Sequence, residues 1–306
     1  MLAFVLRRLV LLIPVLIGVT VAVFMLLHLT PGDPARVVAG PIATPQQVEM
    51  IRHQLELDQP LYRQYLHYME RLGRGDLGRS LSTHAPVLSE LWPRYLATAE
   101  LTAVAMVTAI IFGVTIGIIS AMRQYSIVDN LLSVFALIGL SIPAYWLGLM
   151  LILVFSLKLG WLPTAGRGGI HHIVLPAVTL ATFAMATSAR MTRGAMLDVL
   201  HQEYVQTARA KGLPERTVML HHALKNAMIP VLTVVGLQVG QLLGGAVLTE
   251  SVFAWPGIGR FMVDAIKARD FPVIQGGVLL LAVTFVLVNL LVDVLYSVVD
   301  PRIRYA

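Results

Sequence analysis

The sequence predicts an all-α, polytopic membrane protein with six transmembrane helices and a helical external loop. Three observations predict it. The chain is 57% hydrophobic, and its mean hydropathy is +0.76. Only 13% of its 306 residues are charged, against about 25% in a soluble domain. Six uncharged or nearly uncharged runs are long enough to span a bilayer, which takes about 20 apolar residues in a helix. Cysteine is absent, which removes disulfide and thiolate chemistry. The formal charge is +6. Membrane orientation explains that balance better than nucleic-acid binding, so membrane lipid is expected as a partner and nucleic acid is not.

The first run, Leu9–Leu29, follows Arg7 and Arg8. It is longer than the roughly 7–15 apolar residues of a secretory signal, so it reads as a retained helix within an N-terminal segment, residues 1–30. Residues 31–95 form an external loop with helices of its own. Thr44-Pro45-Gln46-Gln47 fits a capping box with proline at the first helical position. Val48, Ile51 and Leu55 follow at helical spacing, and Leu61, Tyr65, Tyr68 and Leu72 make a second amphipathic face ended by glycines. Residues 96–300 hold the other five runs: Ala97–Met122, Leu131–Leu157, Ile173–Ala189, Ala227–Leu248 and Val278–Val299. The fourth is at the short end of what spans. Prolines 143, 176 and 230 lie in or beside spans, where they kink helices.

Glu100 and Asp293 are the acidic groups within the runs. Intramembrane acids are functional candidates by default. Glu100 is within a turn of its span's outer end and can reach water. Asp293 shares a face with Asn289, which suits a structural hydrogen bond. The fifth run carries Gly236, Gly240 and Gly244 at four-residue spacing, a stripe that lets a neighbouring helix approach closely. That stripe is either static packing or a pore-adjacent surface. Gln238 and Gln241, on the same helix, either line a polar path or bond to another helix.

Arginine and lysine set the orientation. With the N-terminus cytoplasmic, the inside segments hold 11 of them and the two short outside loops hold 5. The long outside loop holds 7, balanced by 7 acids. Both termini and the loop at residues 190–226 are therefore expected in the cytoplasm.

Several chemistries have no sequence support. No P-loop, zinc-protease or nucleophile-elbow pattern occurs. The pairs His171-His172 and His221-His222 lack a partner at helical spacing, so no metal site is expected. An ion-coupled carrier would show midplane ion sites and an inverted repeat, and neither is evident. A membrane enzyme is disfavoured for want of catalytic residues.

The stretch EYVQTARAKGL, residues 203–213, is short, polar and cleanly ended by Gly212 and Pro214. Tyr204, Ala208 and Lys211 fall along one side, with the small Ala208 suited to close docking against a partner. Arg209 and Lys211 offer charge there. A nine-residue helix is marginal alone in water and needs a surface to dock on.

This stretch, followed by HHALKNAMIPVLT, resembles the EAA loop of ABC importer permeases, in the version of the dipeptide, oligopeptide, nickel and glutathione branch. LRRL, PGDP, LDQPLYRQYLHY, GDLGRS, TESVFAWPGIGR and NLLVDVLYSVVDPRIRY agree with it, so the resemblance covers essentially the whole chain. Where the general consensus begins Glu-Ala-Ala, this chain has Glu203, Tyr204 and Val205. The resemblance implies a type I ABC importer permease in the bacterial inner membrane, moving small peptides or glutathione by alternating access. Its other cargo in that branch is a nickel chelate. It implies a second homologous permease, two ATP-binding subunits and an extracytoplasmic substrate-binding protein as partners. ATP and Mg would be used by those subunits, with no cofactor bound by this chain. Glu203, Tyr204, Ala208, Arg209, Lys211 and Gly212 would meet an ATP-binding subunit.

Overall fold

A computed structural model of the chain describes residues 2–29, 33–40, 42–54 and 56–299. Among them all regular elements are helical. Two compact units divide the fold: Met1–Val5 with Ala97–Arg260 and Leu287–Ala306, and Leu6–Leu96 with Phe261–Val286. Of the expected features, Leu55, Arg302, Arg304 and the Pro31-Gly32 pair lie outside the described residues, as does the side chain of Asp293.

The second unit takes α1 (Leu2–Leu29) from Leu6 onward, followed by α2 (Pro34–Ala39), α3 (Pro45–Gln54) and α4 (Leu61–Gly73). Asp33 caps α2 by accepting from the Ala35 amide at 3.1 Å. The capping box ahead of α3 is reciprocal. Gln47 N–H donates to Thr44 Oγ1 at 3.3 Å, and the Thr44 amide donates to Gln47 Oε1 at 2.8 Å. The amphipathic face of α4 packs on α1. Tyr65 and Tyr68 lie 5.4 and 5.9 Å from the Phe24 ring, and Thr20 and Tyr65 share a hydroxyl hydrogen bond of 2.9 Å.

The first unit holds most of α5 (Val87–Met122), then α6 (Ile127–Ser141) and α7 (Ala144–Leu151), which continues as a π-helical stretch, Ile152–Lys158. Next come α8 (Ile170–Leu200), α9 (Glu203–Ala210), a short α10 (Glu215–Thr217), a second π-helical stretch (Val218–Ala223) and α11 (Leu224–Val252). Helices α12 (Ile258–Ala268) and α13 (Phe271–Val299) complete the chain. Helix α8 carries the core. Ile173, Ala177, Leu180, Ala181 and Ala184 are buried with Ala97, Leu101, Ala105 and Ala109 of α5, Leu242 and Ala246 of α11, and Trp255. The α5–α8 contact is very close. A Cβ on Gly113 would lie 2.7 Å from the Met185 carbonyl oxygen, and one on Gly117 2.6 Å from that of Ala189.

Four described helices are long and apolar enough to cross a membrane: Val87–Met122, Ile170–Leu200, Glu215–Gly244 and Phe271–Val292. Within α1 the corresponding apolar stretch is Val10–Met25. Two expectations change. The third run is not one straight span, because α6 and α7 meet at 106°. Ile142 and Pro143 are both extended there, and proline disfavours helix in the residue before it. The fourth span is not short: α8 has 31 residues, continuing past Ala189 to Leu200. Arg190 and Arg193 masked that continuation in the hydropathy.

Candidate functional site

Helix α9 starts at Glu203, whose acidic side chain suits the positive end of the helix dipole. It ends where the Gly212 amide donates to the Arg209 carbonyl at 2.9 Å, with Gly212 at φ +76°. Val205 is fully buried and Ala208 is 6% exposed. Three residues apart, they share one face. That face joins a cluster with Met196 and Val199 of α8 and Val218, Met219 and Ala223 of the second π-helical stretch. The expectation that Ala208 fronts a partner is therefore corrected. Two of the apolar residues of a polar helix bury themselves against the chain's own core, and the small Ala208 brings α9 close to it.

The opposite face is exposed through Glu203, Gln206, Thr207 and Ala210, with Lys211 beyond. Tyr204 leans the other way. Its hydroxyl accepts from Asn226 Nδ2 at 2.7 Å, at the start of α11. Arg209 is engaged within the chain. Its guanidinium donates twice to Glu215, Nη2 to Oε1 at 2.7 Å and Nε to Oε2 at 3.2 Å. Hydrogen bonding to that carboxylate raises the Arg209 pKa above its ordinary value. Both side chains are largely exposed, so the pair adds under about 1 kcal/mol and acts chiefly to fix the α9–α10 turn. Lys211 forms no ion pair among the described residues.

A cavity of about 150 Å³ lies among α6, α7, α8 and α11, lined by uncharged residues that include Thr179, Thr182, Phe183, Gln238 and Gln241. Gln241 is exposed. Gln238 is 2% exposed and bonds to α8 at both ends. Its Nε2 donates to the Ala184 carbonyl at 3.2 Å, and Ser188 Oγ donates to its Oε1 at 3.2 Å. Gln238 thus makes an interhelical bond and lines the cavity as well. The glycine stripe is split. A Cβ on Gly236 would lie 2.4 Å from Val292 Cγ1 on α13, whereas Gly244 has no neighbour within 4 Å. Gly240, between them, is half-buried.

Sequence reasoning missed two sites. Arg193 of α8 grips Asp129 of α6, Nε to Oδ1 at 2.7 Å and Nη2 to Oδ2 at 2.8 Å. Asp129 is 2% exposed and also accepts from Ser120 Oγ of α5 and from the Tyr125 amide. Its position three residues after Ser126 was a local signal, since Ser126 caps α6. The second is the Gly113-Val-Thr-Ile-Gly117 pair on α5, the same small-residue spacing as in the fifth run. Glu100 is half-exposed beside Arg167, whose Nε donates to it at 3.0 Å. Among the described residues no three His, Asp or Glu side chains converge as metal ligands.

Residues 113–305 match the family described as binding-protein-dependent transport system inner membrane component. Residues 1–102 match the N-terminal membrane component of such systems. Over the full length of both chains, the protein is 49% identical to the dipeptide transport system permease protein DppB of Alkalihalophilus pseudofirmus. It is 50% identical, again over the full length of both, to the glutathione transport system permease protein GsiC of Escherichia coli K12. Among solved structures, a chain of the inward-facing MetNI methionine ABC transporter superposes with a TM-score of 0.60 at 19% identity. That match covers 70% of this chain and 97% of the other, and it speaks to the fold.

Proposed function

This chain belongs to the family of binding-protein-dependent transport system inner membrane components, and we propose that it is one of two permease subunits of an ATP-driven importer of small peptides. Cargo is a dipeptide, an oligopeptide or glutathione. The permease relatives named for dipeptide and glutathione transport support that class. The partner set is a second, homologous permease, two ATP-binding subunits and an extracytoplasmic binding protein. ATP and Mg are handled by the ATP-binding subunits, and this chain binds neither. Both termini and residues 190–226 face the cytoplasm, with residues 31–95 outside.

One observation carries the coupling role: α9 is anchored through Val205 and Ala208 yet leaves a polar face open. Such a helix is fixed firmly enough to transmit a push, and its free face is available to an ATP-binding subunit. ATP-driven closure of those subunits moves the coupling helices. The displacement passes into α8, through the shared buried cluster, and into α11, through Tyr204 and Asn226. The cavity beside Gln241 lies along the cargo path. Its uncharged walls suit passage better than tight retention of a zwitterionic peptide.

The test is reconstitution of the complete complex in proteoliposomes with labelled dipeptide and glutathione. Uptake should require ATP on the cytoplasmic side and loaded binding protein, and should survive an uncoupler that collapses ion gradients. Uptake driven by an ion gradient without ATP would refute the importer reading.

A further inference from the structure

The last turn of α11 carries a carboxylate sealed inside the protein. Glu250 is fully buried. Its Oε1 accepts from Thr98 Oγ1 of α5 at 2.5 Å, and its Oε2 accepts from the Arg260 amide of α12 at 2.9 Å. Thr98 Oγ1 in turn accepts from the amide of Ile258, the first residue of α12, at 2.9 Å. The Glu250 carbonyl accepts from the Trp255 amide at 2.9 Å, and the Trp255 indole N–H reaches back to the Ala97 carbonyl of α5 at 2.9 Å. Two glycines make the room. A Cβ on Gly257 would lie 2.0 Å from Glu250 Oε1, and one on Gly259 would lie 2.7 Å from Val247 Cγ2.

Stability gives no reason for this arrangement. A well-packed apolar group commonly serves a core as well as a buried charge does, whereas losing a partner of that charge is strongly destabilising. What the carboxylate supplies is specificity of position. Its donors come from α5 and α12, so if α11 shifts without them, a buried carboxyl group is left short of hydrogen bonds. Helix α11 is 29 residues long, about 43 Å at 1.5 Å per residue, and its other end meets Tyr204 of the coupling helix.

We propose that Glu250 is a positioning residue of the transport cycle, obliging its end of α11, the adjacent end of α5 and the first turn of α12 to move as one body. The proposal rests on the importer reading. It extends that reading by naming the elements to which a displacement at α9 is delivered.

The chain has no cysteine, so spin labels at Ala103→Cys on α5 and Leu248→Cys on α11, both exposed, report without background. The inter-label distance is measured in the complete complex without nucleotide and with ATP trapped by vanadate. In the parental complex it should be narrow and identical in the two states. Glu250→Gln puts an amide donor where the carboxylate accepted, facing either Thr98 or Arg260. The complex should be recovered at parental yield, with the inter-label distance broadened and dependent on nucleotide. Uptake and the stimulation of ATP hydrolysis by loaded binding protein should then fall by roughly two- to thirty-fold, the range for interrupting a coupling network.

Thr98→Val, which deletes the hydroxyl at constant shape, leaves Glu250 with the Arg260 amide as its donor and the Ile258 amide without its acceptor, so it should broaden the distance and lower uptake at least as much, and it serves if Glu250→Gln is not recovered. A parental distance that changes between the states of a transporting complex overturns the proposal whether or not any variant assembles. So does parental uptake with narrow distances in both variants, and the importer reading then stands. If the parental complex takes up no peptide on ATP, the importer reading fails and this proposal fails with it.

Discussion

Gly212 and Ala208 bracket the last turn of α9, and they resist substitution for different reasons. Gly212 sits at φ +76° with no heavy atom within 4 Å of where a Cβ would stand. The obstacle there is the backbone alone, about 1–2 kcal/mol for a β-branched residue in the left-handed region. Gly212→Val should insert normally yet lose uptake and the stimulation of ATP hydrolysis by loaded binding protein. Gly212→Asn, which tolerates that conformation, should keep most of both. At Ala208 the obstacle is space, since it is 6% exposed in a cluster with Met196 and Val218. Ala208→Trp should overpack that cluster at about 1–3 kcal/mol and tilt α9. Co-purification of the ATP-binding subunits should then weaken. Parental transport and full subunit recovery in both Gly212→Val and Ala208→Trp would mean that EYVQTARAKGL is a connector.

Among elements, α8 organises the first unit because its neighbours come close to its backbone. Gly113 and Gly117 let α5 lie against the Met185 and Ala189 carbonyls, and Gly139 lets α6 approach Thr182 and Ala186. The Asp129–Arg193 pair fastens α6 to α8 from the side. Close approach of this kind favours dispersion and weak polar contacts in a setting where lipid gives helices little reason to associate. Gly117→Val should push α5 off α8, because its Cβ would meet Thr192 Cβ at 2.6 Å. The purified variant should unfold in detergent at a lower temperature or fail to accumulate. Gly244→Ala, with no neighbour within 4 Å, should unfold like the parent. Equal thermal behaviour of the two would show that the α5–α8 crossing contributes little.

For the whole molecule, the predicted orientation is open to direct labelling because the native chain has no cysteine. A cysteine at Thr83 should react with an impermeant maleimide from outside. One at Gln206, on the exposed face of α9, should react only once the inner membrane is permeabilised. The reverse pattern would invert the topology and place α9 on the wrong side for the proposed ATP-binding subunits.

What the sequence determined by itself was local. Apolar runs marked the helices, Thr44 and Gln47 announced α3, and the polar stretch ending in Gly212 and Pro214 delimited α9 to within a residue of Glu203–Ala210. Each depends on groups a few positions apart, so each is legible in a linear string. Direction and partnership were not legible. Periodicity alone left open that Val205 and Ala208 turn inward, that Gln238 bonds to α8, or that Gly117 rather than Gly244 is the tight contact. Nor could it pair Asp129 with Arg193, 64 positions away, or Glu250 with Thr98, 152 positions away. Those pairings exist because desolvated polar groups must find donors wherever the packed helices bring them. That choice belongs to the tertiary structure.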